Sequence, residues 1–325
     1  MLNVTRFLNV SMIVRDLETG LQTYTDLFGV HPTHRARVPE MGVDAAIVPV
    51  GGGISHSIEL VQVIGDAPLP ADAGPSSYSG SDAARTVERF LERRGEGVYR
   101  LAFEVEDMDA AAAHLADQGV RTTFYQLGTP HGPSPVLITH PKDTCGVMFE
   151  FLALGDYELG AEHASWAGAD TGIFRRFLNT SCAVGDLDAA LTKLATLFGI
   201  EPSRVLDVPE MAVSAAVFTI GDDDTLEFFA PMRSEMRSHP RYNADAERAL
   251  DRYLDRRGEG VYRLAFEVED FDESLRRLDA HGASYVPFDL QLDTGPLRVA
   301  VVSPKAVHGV MIELCEPGNP AYRPG

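Results

Sequence analysis

Four polar residues interrupt segments that otherwise alternate like strands, and each of them recurs in the second half of the chain. They are Asn9, Glu59, Arg100 and Glu150, with the counterparts Asn179, Glu227, Arg263 and Glu313. Alternate residues of a strand face the same side, and a buried charge is costly unless it is paired. We therefore expect Arg100 to pair with Glu59 or Glu150, which leaves excess negative charge or raises the pKa of one carboxyl group.

Two interpretations of this set stay open. In the first, a buried Arg–Glu network only fixes the packing of the strands, as buried ionic groups can do without any chemistry. In the second, two carboxylates, a guanidinium and an amide line a pocket. A further pair of glutamates, Glu40 and Glu210, stands in the repeated segment Val-Pro-Glu-Met. Each is either an exposed carboxylate at a strand edge or a general base at the mouth of the pocket.

The chain is an internal duplication. The run RRGEGVYRLAFEVED occurs identically at 93–107 and 256–270, and the segment 6–30 pairs with 176–200. We predict one domain over 1–155, a Gly/Ala-rich linker over 156–172 and a second domain over 173–325. Because polar residues that both copies retain were held for fold or for function, the duplication selects the candidate residues.

Each copy contains the pattern strand–helix–strands twice. A strand is expected to end near Val14, and Asp16 or Thr19 caps a helix over 17–28 that Gly29 terminates. The same pattern starts again near Tyr99. The sequence predicts an α+β fold of four such modules, which form two curved sheets, each open on one face.

Composition limits the partners and the compartment. A formal net charge of -20 disfavours nucleic acid and anionic membranes, and we expect a small-molecule substrate instead. No segment has the length and hydropathy of a membrane span or the pattern of a signal peptide, so the expectation is a cytoplasmic protein. The three cysteines and most histidines are not shared between the copies, which argues against a thiol nucleophile or a paired histidine site.

These motifs resemble the vicinal oxygen chelate superfamily, which includes glyoxalase I, bleomycin-resistance proteins, methylmalonyl-CoA epimerase and extradiol dioxygenases. The resemblance spans both halves and is closest to the epimerase, through VRDL, VPE-x-GV, RRGEGVYRLAFEVED and HPK…GVMFE. It implies paired βαβββ modules that form a half-barrel with a metal in its cleft. The implied ligand positions match the four polar residues of each copy, but the usual histidines are replaced by asparagine on the first strand and by arginine at Arg100 and Arg263.

This departure shapes the expected function. A guanidinium stays protonated and cannot bind a metal, so no cofactor is favoured, and a divalent ion held by the four glutamates of the two clefts (Glu59, Glu150, Glu227 and Glu313) is the alternative. We expect an epimerase, isomerase or lyase acting beside a carbonyl, in which Arg100 and Arg263 replace the metal. The resemblance assigns Glu40 with Glu150, and Glu210 with Glu313, as acid/base pairs, while the asparagines orient the substrate.

Two other functions remain as alternatives. One is a non-catalytic protein that binds a small molecule, as bleomycin-resistance proteins do. The other is a metal-dependent glyoxalase or epimerase with atypical ligands. Single-copy relatives dimerise, so the duplicated chain is expected to be a monomer or a homodimer.

Overall fold

The computed structural model describes residues 2–38, 42–50, 56–64, 80–129, 132–153, 170–220, 224–292 and 295–318. The N-terminal half contains, in chain order, β1 (Val4–Ile13), α1 (Leu17–Phe28), β2 (His34–Val38), β3 (Val43–Pro49), β4 (Ser57–Val63), α2 (Gly80–Arg94), β5 (Gly97–Val105), α3 (Met108–Asp117), β6 (Thr122–Thr129), β7 (Gly132–Thr139) and β8 (Met148–Leu152). It is therefore built from two βαβββ modules joined by α2.

The C-terminal half repeats this order. Its elements are β9 (Phe174–Ala183), α4 (Leu187–Phe198), β10 (Arg204–Val208), β11 (Val213–Ile220), β12 (Asp224–Pro231), α5 (Ala244–Arg257), β13 (Gly260–Val268), α6 (Phe271–Ala280), β14 (Tyr285–Leu292), β15 (Gly295–Val302) and β16 (Met311–Cys315). The predicted linker lies outside the described residues except for 170–172, so its bounds stay a prediction.

Each half forms one eight-stranded sheet with matching topology. The orders are β2-β3-β4-β1-β5-β8-β7-β6 and β10-β11-β12-β9-β13-β16-β15-β14. The first strands of the two modules, β1 and β5, pair antiparallel at the centre, and each pairs in parallel with the last strand of its own module. This arrangement confirms the predicted α+β fold of four modules in two half-barrels. It also brings the four strands that carry Asn9, Glu59, Arg100 and Glu150 side by side.

The start and end of α1 follow the local signals in the sequence. The Asp16 side chain accepts a hydrogen bond from the Thr19 backbone N–H at 2.7 Å, which satisfies a donor that the first helical turn leaves unpaired. Gly29 ends the helix in the left-handed region, with φ of 74°. The helix then packs its apolar residues, including Tyr24 and Phe28, on the outer face of the sheet.

One continuous hydrophobic core joins the outer faces of the two sheets. Phe7 on β1 stacks on Phe177 on β9 with ring centroids 5.3 Å apart, and Phe28 contacts Phe174 at 4.9 Å. The two copies therefore pack against each other through the faces that carry α1, α3 and their counterparts. The opposite face of each sheet is left to form a cleft.

The repeated RRGEG segments lock the two copies together. Arg94 donates to the backbone carbonyl of Glu259 at 2.9 Å, and Arg257 donates to that of Glu96 at 3.0 Å. Gly309, in the loop before β16, contacts the first RRGEG segment and has no room for a side chain, because a Cβ there would lie 1.9 Å from the Glu96 carbonyl oxygen. Part of the identity between the copies thus reflects their mutual contact.

The cleft face of each sheet is partly covered by the helix that links its modules. In the N-terminal half, Val87, Phe90 and Leu91 of α2 belong to a cluster with Val43 and Val61. Within the described part of the chain, no helix combines the length and hydropathy that a membrane span requires. Its three cysteines are free and buried.

Candidate functional site

Arg100 is the centre of a buried ionic cluster in the N-terminal cleft. It is 4% exposed, its Nη2 donates to Glu59 Oε2 at 2.7 Å, and its Nη1 donates to Glu150 Oε2. Arg100 was predicted to pair with one of these glutamates, and in the structure it pairs with both. With two carboxylates around one guanidinium, the cluster carries one negative charge in excess when all three groups are ionised.

Ser11 completes the cluster from β1. Its hydroxyl accepts from Arg100 Nε at 3.0 Å and donates to Glu59 Oε2 at 2.5 Å. Asn9, two residues earlier on the same face, places its Oδ1 3.4 Å from the Ser11 hydroxyl. The four predicted positions therefore meet in one place, and the serine connects the amide to the ion pairs.

The C-terminal cleft repeats the cluster around Arg263. Its Nη2 donates to Glu227 at 2.7 Å and to Ser181 at 2.9 Å, and its Nη1 donates to Glu313 at 2.7 Å. Asn179 Oδ1 again lies near the serine hydroxyl, at 3.3 Å. The residues that both copies share thus build the same arrangement twice.

The two clusters differ at one hydroxyl group. In the N-terminal cleft, Tyr125 on β6 donates to Glu150 Oε2 at 2.7 Å, and its oxygen lies 3.4 Å from Arg100 Nη1. Counting from the identical run at 93–107 and 256–270, the matching residue of the second copy is Phe288. The Cys315 thiol lies 3.6 Å from the Glu313 carboxylate.

Burial and charge shift the ionisation of this cluster in opposing directions. Burial raises the pKa of Glu150 above its ordinary 4.5, although the neighbouring Arg100 charge and the Tyr125 hydrogen bond act against it. Burial disfavours the charge on Arg100, but Glu150 and its other partners outweigh burial and hold the pKa of Arg100 well above its ordinary value. Burial and the Glu150 carboxylate raise the pKa of Tyr125 well above 10.0. Burial is thus the first cause of the raised pKa of both Glu150 and Tyr125.

A cavity of about 770 Å³ opens beside the N-terminal cluster, between α2 and strands β5 to β8. Tyr125 and Tyr99 form part of its wall, so Tyr125 separates the cavity from Glu150. The Tyr99 hydroxyl is itself buried, with the Ser11 hydroxyl and the Arg100 charge beside it.

Of the glutamates in the two Val-Pro-Glu-Met segments, only Glu210 belongs to the described residues. Glu40 lies outside the described residues. Glu210 lies in the 3-10 turn Pro209–Met211 and pairs with the half-exposed Arg241 at 2.5 Å. The next residue, Met211, approaches Arg263 with its sulfur 3.3 Å from Nη1. Glu210 is therefore near the rim of the C-terminal cleft, but its carboxylate is engaged by a surface arginine.

The metal that the resemblance implies finds no suitable donors here. The two carboxylates that would bind it, Glu59 and Glu150, are both bonded to Arg100, and a guanidinium would repel a cation in the same cage. In the described segments, no group of three or more His, Cys, Asp or Glu residues is arranged to hold a metal ion. The cluster contains its own cation instead, the Arg100 guanidinium.

Four residues of the two clefts were not among those predicted from the sequence. Ser11 and Ser181 are identical in the two copies and lie two residues after the asparagines, so the comparison of the copies was sufficient to find them. Tyr99 precedes Arg100, and strict alternation places it on the opposite face. A register shift between β1 and β5 at this point turns both residues toward the cleft. Tyr125 is not shared between the copies and has no such signal.

Comparison with known proteins agrees with this architecture. The model of the glyoxalase/bleomycin resistance protein/dioxygenase superfamily matches residues 9–133 and 180–300. Mitochondrial methylmalonyl-CoA epimerase of Homo sapiens is 27% identical over 150 residues, 46% of this chain and 73% of the relative. The ethylmalonyl-CoA/methylmalonyl-CoA epimerase of Cereibacter sphaeroides is 29% identical over 151 residues, 45% of this chain and 96% of the relative.

Two solved structures span nearly the whole chain. A variant of 4-hydroxymandelate synthase from Streptomyces coelicolor has a TM-score of 0.62 at 15% identity, covering 96% of this chain and 92% of its own. The Mn(II)-bound glyoxalase from Novosphingobium aromaticivorans has a TM-score of 0.57 at 12% identity, covering 97% and 83%. At these identities the likeness concerns the fold alone. The matches to the family model cover most of both halves, and this chain belongs to the glyoxalase/bleomycin resistance protein/dioxygenase superfamily.

Proposed function

We propose that this chain is an isomerase of epimerase type that moves a proton beside a carbonyl group, using a buried Arg–Glu–Tyr cluster where relatives of this fold use a metal. One observation carries the proposal. Glu150, whose pKa burial raises, accepts a hydrogen bond from Tyr125, and Tyr125 faces a cavity of about 770 Å³. A carboxyl group whose pKa is raised and which a phenol connects to a cavity is suited to general acid–base catalysis.

The proposed step is a proton relay through Tyr125. The Tyr125 oxygen takes the proton from the carbon next to the carbonyl as its own proton passes to Glu150 Oε2. The electron pair of the broken C–H bond moves onto the carbonyl oxygen, which becomes an enolate. Reversal of the relay returns a proton to carbon, so the reaction needs no oxidant and consumes no proton.

Arg100 balances the charge of the carboxylate in this step. Arg100 lies with Cζ 5.5 Å from the centre of the Tyr99 ring and bridges Glu59 to Glu150, so its charge compensates the carboxylate that receives the proton. Inversion at carbon requires a second acid–base group on the opposite face of the substrate, and Glu40 remains the candidate for it.

The C-terminal cleft lacks the relay. Phe288 stands where Tyr125 stands in the first copy, and a phenyl ring transfers no proton. Within the proposal, the network of Arg263, Glu227 and Glu313 therefore packs the second sheet, and the N-terminal cleft is the active one. The names of the relatives point to acyl-CoA thioesters, which carry an acidic proton beside the thioester carbonyl, as the first substrates to try.

A binding protein without catalysis is the second candidate. It is favoured by the number of bonds that Arg100 makes to Ser11, Glu59 and Glu150, and by the aromatic rings of Phe90, Tyr99 and Tyr125 around the cavity. In this case the ion pairs hold the strands, and the cavity takes up a small molecule. The pairing of the two copies inside one chain supports a monomer under either function.

Hydrogen exchange distinguishes the two candidates. The protein is incubated in heavy water with methylmalonyl-CoA, ethylmalonyl-CoA and small 2-oxo acids, and deuterium at the carbon beside the carbonyl is followed by NMR. We expect exchange with one of these compounds, its loss in Glu150→Gln and its retention in Glu313→Gln. Saturable binding of a compound with no exchange above the buffer rate would favour the binding protein and contradict the proposed isomerase.

A further inference from the structure

Met211 occupies the side of Arg263 that a phenol occupies in the first cleft. Its sulfur lies 3.3 Å from Arg263 Nη1, whereas the corresponding nitrogen of Arg100 has the Tyr125 oxygen at 3.4 Å. The second copy has Phe288 in place of Tyr125, and a phenyl ring brings no hydroxyl group. The thioether therefore stands where, in the first copy, the ionic cluster reaches its cavity.

The turn that carries Met211 is fastened from outside the cleft. This Met211 turn (Pro209–Met211) is bonded to the segment before α5, where its first carbonyl accepts from the Asn243 backbone N–H at 3.0 Å. Glu210 also pairs with Arg241 at 2.5 Å, and the Arg241 side chain is 46% exposed. An ion pair of this kind contributes little to stability. A substitution at the surface can therefore loosen the turn without touching the buried cluster.

The residue after the Met211 turn has a strained backbone. Ala212 is fully buried and adopts φ of 54°, in the left-handed region that is unfavourable for a residue with a Cβ. The first copy has Gly42 at this position, with φ of 63°. Such a conformation persists only where the surroundings hold it. The position of the turn over Arg263 thus results from packing and fastening, not from the preference of its backbone.

A larger side chain also fills the second cleft beneath α5. Phe229 on β12 replaces Val61 of the first copy and packs edge-on against Tyr262, with ring centroids 5.4 Å apart. Tyr262 corresponds to Tyr99, which lines the first cavity. Met211 packs against the same apolar cluster as Tyr262. The turn and the phenylalanine together occupy the side of the cleft on which the first copy has its cavity.

We propose that the Met211 turn is an internal plug that closes the second cleft to ligands, with the Glu210–Arg241 pair as its latch. A thioether sulfur is a weak hydrogen-bond acceptor, so the plug fills the cleft by its shape and does not bind Arg263 tightly. Glu210 then has a structural task at the rim, in place of the acid–base role that the resemblance assigns to it. The proposal goes beyond the proposed function, because it holds whether or not the first cleft is catalytic.

Cys315 reports whether the second cleft is open. It is 1% exposed, and its thiol lies 3.6 Å from the Glu313 carboxylate. Val208, the residue before the Met211 turn, packs against the apolar cluster that contains Cys315. Because a thiol reacts only where the reagent reaches it, opening of the turn should make Cys315 reactive. The full chain is treated with N-ethylmaleimide, and mass spectrometry of its peptides gives the labelling rate of each cysteine.

Two variants should open the cleft to different extents. Met211→Ala removes the side chain that fills the cleft, and Cys315 should be labelled about tenfold faster. Arg241→Gln removes the latch from the surface, and a rise of about threefold is expected because an exposed ion pair is weak. Arg248→Gln is the matched control, since this exposed arginine of α5 pairs with Asp245, and it should leave the labelling rate unchanged.

The other two cysteines separate local opening from unfolding. Cys145 and Cys182 are buried in the core that joins the two copies, and their labelling rates should not change in any variant. An unchanged Cys315 rate in Met211→Ala would overturn the plug, and an unchanged rate in Arg241→Gln would contradict the latch. An equal rise at all three cysteines, or an equal rise in the control variant, would show a loosening of the whole fold and would also overturn the plug.

Discussion

The two clefts of this chain share an ionic cluster and differ in what surrounds it. Arg100 and Arg263 each bridge two glutamates and a serine, with closely similar distances. Tyr125 connects the first cluster to a cavity, whereas Phe288 stands at the matching position of the second copy. We therefore infer that the fold requires the ionic cluster that both clefts contain. We place the chemistry in the first cleft, where Tyr125 connects the cluster to the cavity. Four predictions test this division.

Removal of the buried arginine is expected to have the largest effect. Arg100→Met leaves Glu59 and Glu150 close together without their cation, and the free energy of unfolding should fall by about 3–5 kcal/mol. Arg263→Met should destabilise the protein by a similar amount because its cluster is equally buried. Urea denaturation measures both. If one of the two variants is as stable as the unmodified protein, the two clusters do not contribute equally to the stability of the fold.

Exchange of the residues that differ between the clefts should affect activity and not stability. Tyr125→Phe gives the first cleft the residue of the second and should slow deuterium exchange on the order of 10²-fold, as expected for loss of an acid–base group. Phe288→Tyr should leave the rate of the first cleft unchanged. Equal rates for Tyr125→Phe and the unmodified protein would place the chemistry elsewhere.

The contact between the copies should contribute a smaller and symmetrical amount. Arg94→Ala removes a charged hydrogen bond to the Glu259 carbonyl and Arg257→Ala one to the Glu96 carbonyl, each in the other half, and each variant should cost about 1.5–3 kcal/mol in the free energy of unfolding. Calorimetry should show one transition for the unmodified protein. A value near zero for both variants would mean that the aromatic core alone joins the two halves.

Protonation of Glu150 predicts a pH dependence of the free energy of unfolding. Because burial raises the pKa of Glu150 above 4.5 in the folded protein, the folded state binds this proton more tightly than the unfolded chain. The protonated Glu150 side chain therefore contributes its full stabilisation below about pH 4.5, which is near the pKa of glutamate in an unfolded chain. This contribution is lost as the pH rises through the pKa of Glu150 in the folded protein. Glu150→Gln should remove this part of the pH dependence. If the free energy of unfolding of Glu150→Gln varies with pH as that of the unmodified protein does, from about pH 4 to about pH 7, Glu150 does not titrate in the folded protein as described.

The sequence was sufficient for the fold and for the centre of the site. The sequence patterns predicted the four modules, a helix over 17–28 capped by Asp16 or Thr19, and the pairing of Arg100 with Glu59 or Glu150. Alternation failed at Tyr99 because a register shift between β1 and β5 turns two consecutive residues to one face. Such a shift depends on the pairing of distant strands, which no local pattern reports.

The duplication was also a misleading guide in two places. It gave most weight to the identical run at 93–107 and 256–270, yet Arg94 and Arg257 in this run hold the copies together. It gave no weight to Tyr125, because the second copy has phenylalanine there. Residues that both copies retain report what both need, and a site residue that only one copy carries is recognised only from the three-dimensional structure.

Deuterium exchange by metal-free protein tests the central claim most directly. The protein is treated with a chelator, its metal content is measured by elemental analysis, and exchange into the substrate is followed in heavy water. The account predicts that exchange continues at the rate of the untreated protein and is lost in Glu150→Gln. Exchange that disappears with the chelator and returns with a divalent ion would contradict the role given to the Arg100 cluster.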